Sequence, residues 1–253
     1  LIFGIGPFPA MGVTGAAVAT VLGQILGAVV ALILVLTRQK SVKIHFRAMA
    51  PDGRSLKDIY SVGIPSIITV GLGSAMSFCL NQILLGFSTT ATAAYGIWLK
   101  LQNFSFMPVF GLNNGTVPMI SYNYGAGRME RVNKTIRLAM EVALGLMCLL
   151  LVIFELCPGP LLAMFSATEN MLSIGTVALR ITCLSLPFGA IALIFSSSFQ
   201  ALGRSRYTLL VNLCRQLLFV VPLAWVLSLT GRLTMVWLAI PLAEALSAAM
   251  AMG

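Results

Sequence analysis

The sequence predicts an all-α integral membrane protein with about seven transmembrane helices. Three observations point there. Hydrophobic residues make up 58% of the chain and charged residues only 9%, against roughly 25% charged in an ordinary soluble domain. Charge is also absent in long blocks: no Asp, Glu, Lys, Arg or His occurs in 1–37 or in 59–99, and a helix needs about 20 apolar residues to cross a bilayer. The basic residues behind the net charge of +9 fall mostly between apolar runs. There they set orientation, which argues against nucleic acid as a partner and for the lipid bilayer.

Apolar runs set against breakers place spans at 14–37, 59–86, 91–120, 137–157, 171–201, 207–229 and 233–253. The first is rich in small residues, GVTGAAVATVLGQILGA, which let helices approach closely. Five of the others carry proline, at Pro65, Pro108 with Pro118, Pro187, Pro222 and Pro241. Each removes a backbone donor and kinks its helix, which lipid tolerates only where neighbours or cavity water satisfy the freed carbonyl. These helices are therefore expected to pack around something polar or mobile.

The connectors alternate in charge. Loop 38–57 carries Arg38, Lys40, Lys43, Arg47, Arg54 and Lys57, segment 125–137 carries Arg128, Arg131, Lys134 and Arg137, and ALGRSR carries Arg204 and Arg206. The connectors FSTTATA, CPGPLLAMFSATEN and LTGRLT contain one basic residue, Arg232. The positive-inside rule then puts the basic connectors in the cytoplasm and residue 1 outside, in a multi-pass protein of the plasma membrane. Loop 38–57, with its PDG turn signal, separates two structural units; Val42, Ile44, Phe46 and Met49 lay it along the headgroups or leave it a solvated linker. Leu1 is not an initiator methionine and LIFGIGPFPAMG lacks a basic signal-peptide start, so the expectation is a fragment cut at both ends.

Polar residues inside spans are costly and so informative. Asn81, four residues after Ser77, shares its helical face, and with Gln82, Lys100, Asn103 and Asn113 it forms the candidate substrate-cavity lining. Interhelical packing is the alternative role for any single amide. Lys100 and Arg180 lie about 13 to 14 Å from their helix starts, near the membrane middle, where a cation needs a carboxylate, water or ligand unless it snorkels outward. Glu244 is the candidate titrating carboxylate, an acid among apolar neighbours that could exchange a proton. Arg137 and Glu141, four apart, are expected to pair at the surface. The cysteines show no CxxC pair, His45 is the single histidine, and no H-E-x-x-H, G-x-S-x-G or Walker loop occurs. These absences leave no catalytic residue and no cofactor to assign, and no basis for naming a metal site.

The order GIPSIITVGLGSAMSF, AAYGIWLKLQNFSFMPVFGLNNGTVPMISYNYGAGR and SFQALGRSR resembles the carboxyl-terminal half of multidrug and toxic compound extrusion (MATE) transporters, and VTGAAVATVLGQ looks like their sixth helix. In PMISYNYGAGR, Tyr122 and Tyr124 suit the interface, and Gly125 and Gly127 permit a tight turn into a basic helix. The resemblance implies a secondary antiporter of two six-helix lobes that exports organic cations or amphipathic compounds in exchange for protons or sodium. Residues 1–37 would end the first lobe, 38–57 connect the lobes, and 58–253 form the second lobe, with the amino-terminal lobe missing. The sodium-coupled branch carries an acid about two turns after the proline matching Pro65, where this chain has Gly73 nearby, so the ion stays open. Two rivals remain: a lipid-linked oligosaccharide flippase of similar lobes, and a seven-span receptor, for which D-R-Y, N-P-x-x-Y and an extracellular cysteine pair are lacking.

Overall fold

The computed structural model describes residues 11–38, 52–165 and 168–252. Most of the basic connector, with His45 and the apolar residues 42–49, lies outside the described residues, as do 1–10. The chain divides into two compact units, Leu1–Leu56 and Lys57–Gly253. The first contains α1, Gly12–Arg38. Its Thr20 and Thr37 hydroxyls donate to the carbonyls of Ala16 and Ile33 one turn back, which satisfies them inside an apolar helix.

The remaining helices are α2 (Gly53–Leu85), α3 (Thr89–Gly125), α4 (Met129–Leu156), the short α5 (Pro158–Ala163), α6 (Glu169–Cys183) and α7 (Ser185–Ala201). They are followed by α8 (Ser205–Leu213), a π-helical segment Cys214–Val220, α9 (Val221–Ser228) and α10 (Leu233–Met252). Five described helical stretches are long and apolar enough to cross a membrane, and the bent pair α6–α7 makes a sixth. The seventh expected span is α3, which has the length at 37 residues but is interrupted by Lys100, Gln102, Asn103, Asn113 and Asn114. The fourth span starts at Met129 rather than 137, so Arg131, Lys134 and Arg137 belong to the first turns of α4 instead of a separate segment.

Two of the prolines coincide with changes in the helical backbone. α6 ends at Cys183, whose carbonyl would have accepted from position 187; Pro187 has no N–H to give, and the axis bends by 42°. Pro222 acts on the π segment just before it, where a wider turn relieves the clash of its ring with the preceding carbonyl. α3 runs on through Pro108 and Pro118.

α7 and α10 form the centre. α10 packs against α6, α7, α9 and the π segment, while α4 packs against α3 and α7. Ala239, Ala243, Ser247 and Ala251 recur every fourth residue on the buried face of α10, so neighbouring backbones come close. Trp98, Tyr95 and Trp237 fill the space that remains and are about 1% exposed.

Two of the basic turns share one geometry. After α3, Arg128 N–H donates to Asn123 O and Gly127 N–H to Tyr124 O; after α7, Arg204 N–H donates to Phe199 O and Gly203 N–H to Gln200 O. Both are Schellman caps, with Gly127 at φ +70° and Gly203 at φ +74°. Gly127 therefore carries the left-handed turn, while Gly125 is still helical. Ser121 Oγ donates to Ala201 O at 2.9 Å and ties the two helix ends together.

Candidate functional site: a polar cavity inside the helical bundle

The proline-relieved turn matters because Arg215 and Gln216 sit on it. Two adjoining cavities share Phe110, Leu193, Arg215 and Gln216 as walls. The larger, about 640 Å³, adds Asn113, Asn114, Gln200 and Asn212; the smaller, about 300 Å³, adds Ser77, Gln102, Asn103, Phe106 and Glu244. Amides and hydroxyls thus face partly open space along an apolar bundle.

Arg215 and Glu244 are the charged residues on these walls. Arg215 Nη1 lies 3.6 Å from Glu244 Oε2, an ion pair longer than a hydrogen bond, with side chains only 21% and 10% exposed. Arg215 Nε, Gln216 Oε1, Glu244 Oε2 and Ser247 Oγ are all buried without a hydrogen-bond partner among the described residues. Each such atom is costly to bury unpaired, and those of Arg215, Gln216 and Glu244 lie on the cavity walls, where a polar guest or water would satisfy them. α2 approaches closely here: a Cβ on Gly73 would come 3.2 Å from Gln216 Oε1. Near the position where the resemblance implies an acid, Gly73 therefore lies against the Gln216 side chain.

The structure brings some of the sequence candidates together and separates others. Asn103 and Asn113 line the two cavities. Asn113 Oδ1 lies 3.1 Å from Ser197 Oγ, joining α3 to α7. Asn81 is half-buried and is not among the lining residues described, though Ser77 one turn before it is. Gln82 is exposed and lines a separate apolar groove with Phe78, Pro222 and Trp225. Neighbouring residues point about 100° apart on a helix, so Asn81 and Gln82 do not share a wall. Lys100 is exposed, with Nζ 5.7 Å from the ring centroid of Phe165. That ring belongs to the connector after α5, so the ammonium snorkels toward the helix ends. Arg180 meets a carboxylate, one of the partners open to it, at Glu155 and 3.8 Å.

The sequence shows Glu244 as an intramembrane acid, whereas its ion-pair partner Arg215 escapes that reading. An intramembrane cation downstream of ALGRSR was the available signal. All five cysteines are free, and no group of three or more His, Cys, Asp or Glu among the described residues is placed to hold a metal.

Bent apolar spans around an amide-lined cavity define a multi-pass membrane protein with an internal polar compartment. The MatE family model matches residues 65–226, and the chain belongs to that family. It is 26% identical over 254 residues to the multidrug export protein MepA of Staphylococcus aureus (strain MSSA476), and 24% identical over 253 residues to that of Staphylococcus haemolyticus (strain JCSC1435). In each case the match covers 100% of this chain and 54% of the relative, so the chain spans about half the length of the curated relatives it matches.

Among solved structures, the fold matches the outward-facing conformation of a multidrug resistance MATE family transporter of the MOP superfamily at TM-score 0.87 and 23% identity, covering 98% of this chain and 56% of that one. A MOP superfamily transporter from Pyrococcus furiosus, described as having reverse polarity of its binding pocket, matches at TM-score 0.88 and 22% identity, covering 99% and 57%. At these identities the likeness establishes the fold.

Proposed function

We propose that this chain is the second lobe, with the last helix of the first, of a two-lobe antiporter that exports organic cations or other amphipathic compounds in exchange for protons or sodium. The observation that carries the reading is the buried Arg215–Glu244 pair on the wall of an amide-lined cavity. The names of the curated relatives, multidrug export proteins, agree with it. Substrate binds near the membrane middle between the lobes, and access alternates as one lobe rocks against the other. Residues 1–37 end the first lobe, 38–57 connect the lobes within the cytoplasm, and 58–253 form the second lobe.

Asn103 and Asn113 supply adaptable hydrogen bonds, while Phe106 and Phe110 supply apolar surface for varied guests. Asn81, Gln82 and Lys100, the other sequence candidates, lie off these walls, Gln82 on a separate apolar groove and Lys100 against Phe165. Glu244 takes the coupling role because a carboxylate can bind either a proton or a sodium ion; Arg215 is the counter-charge it lets go when the ion binds and pairs with again when the ion leaves. A lipid-diphosphate flippase would need a surplus of cations, whereas Arg215 is offset here by Glu244.

Ethidium accumulation in cells expressing the full-length gene tests the reading. Glu244→Gln should abolish uphill extrusion at normal membrane abundance, and collapsing the proton or the sodium gradient separately should identify the ion. Unchanged extrusion by Glu244→Gln would remove the pair from the mechanism.

A further inference from the structure

A second feature lies at the basic end of α3 and α4, outside the cavity just described. Stripes from these antiparallel helices face each other across a groove of about 620 Å³. On α4 the stripe runs from Arg131 and Lys134 through Thr135 to Leu138, Ala139 and Val142. On α3 it runs from Asn123 through Met119 and Thr116 to Leu112. Both stripes start polar at the basic end and finish on apolar residues.

We propose that this groove seats one anionic phospholipid of the leaflet that the basic connectors face. Three observations select that occupant. Neither Arg131 nor Lys134 has an ion-pair partner among the described residues, whereas Arg137, outside the groove, is held by Glu141 at 2.9 Å. Two cations against Glu130 on the same lip leave a net positive charge for a phosphate. From Arg131 to Val142 the groove extends about 16 Å along the helix, close to the depth of one leaflet's hydrocarbon. An acyl chain lies along Leu112, Leu138 and Val142 while the headgroup meets Arg131 and Lys134. The Asn123 side-chain N–H donates to Met119 O, so the headgroup contacts come from the two cations. This seat does not depend on what the cavity transports.

Native mass spectrometry of the purified full-length protein tests it, comparing phosphatidylglycerol with phosphatidylcholine of the same acyl chains. Wild-type protein should retain phosphatidylglycerol selectively, and R131Q/K134Q should bind it about tenfold to thirtyfold more weakly, as loss of two interfacial cations implies. V142W, which fills the apolar half and keeps every charge, should also weaken retention. Equal retention of both lipids by the wild type would overturn the proposal, as would undiminished phosphatidylglycerol binding by V142W. Inorganic phosphate displacing the lipid at millimolar concentration would reassign the site to a free anion. The wild-type and V142W comparisons decide the matter even where R131Q/K134Q fails to fold.

Discussion

The Arg215–Glu244 pair yields the sharpest energetic test. At 3.6 Å, two unit charges attract by about 4 to 5 kcal/mol at an effective dielectric near 20. Desolvating both groups offsets much of this, so the pair adds little net stability, but removing one partner strands the other and costs about 3 to 5 kcal/mol. Exposure refines the expectation. Glu244 is short and its side chain is 10% exposed, while Arg215 is long and 21% exposed, so a stranded arginine can reach into the cavity more readily than a stranded glutamate. Arg215→Met should therefore destabilise by about 3 kcal/mol or more and Glu244→Met by about 2, while R215M/E244M should fall within about 1 kcal/mol of wild type. Mixed-micelle unfolding of the full-length protein, followed by the fluorescence of the buried Trp98 and Trp237, reads all three. Ethidium extrusion by the double variant then separates coupling from stability: recovered stability without export would assign the pair to transport. A double variant that loses the sum of the two single losses would refute the coupling.

Other consequences follow from single contacts. A Cβ on Gly189 would lie 2.8 Å from Phe106 Cζ, so Gly189→Ala should push the ring into the cavity and cost about 1 to 3 kcal/mol, with Phe106→Ala restoring the thermal midpoint. Gly127→Ala forces an alanine into the left-handed region and should cost about 1 to 2 kcal/mol by the same melting assay. Gly125→Ala, with open space around its Cβ, should be neutral or stabilising by up to about 1 kcal/mol. Asp52 caps α2, its carboxylate accepting from Ser55 N–H and Oγ at 3.1 Å, and the backbone hydrogen bond first among these contacts holds its pKa below the usual 3.8. A carboxylate depressed in the folded state contributes stability above its unfolded pKa and loses it as pH falls through the folded value. Amide protection in the first turn of α2 should accordingly be full at neutral pH, fade below about pH 4, and lose that dependence in Asp52→Ala. Lys100→Ala should remove only the contact with Phe165, about 0.5 to 1 kcal/mol, and reduce extrusion far less than Glu244→Gln.

Span placement was legible because crossing a bilayer demands uncharged runs, and the interruptions at Pro187 and Pro222 announced where the backbone would change course. The turn in PMISYNYGAGR was legible too, although which glycine takes positive φ was not: both Gly125 and Gly127 are permissive, and the choice rests on where α3 runs out of donors. Helix phase was harder. Asn81 and Gln82 read as one polar pair along the chain, yet they point in different directions once wound. Counting residues along one helix axis places Lys100 deep, but it carries no information about Phe165, which approaches from a neighbouring connector.

What the residues alone dictated, then, is whatever depends on the solvent and on local backbone chemistry: a helical membrane chain, charge alternating between its connectors, and the backbone changes at Pro187 and Pro222. The meeting of Arg215 with Glu244 is of another kind. The two stand on different helices, and the contact exists because a π-helical turn and a face of small residues on α10 bring the π segment and α10 together. Long-range pairing of this sort is a property of packing in three dimensions, and no period along the chain encodes it.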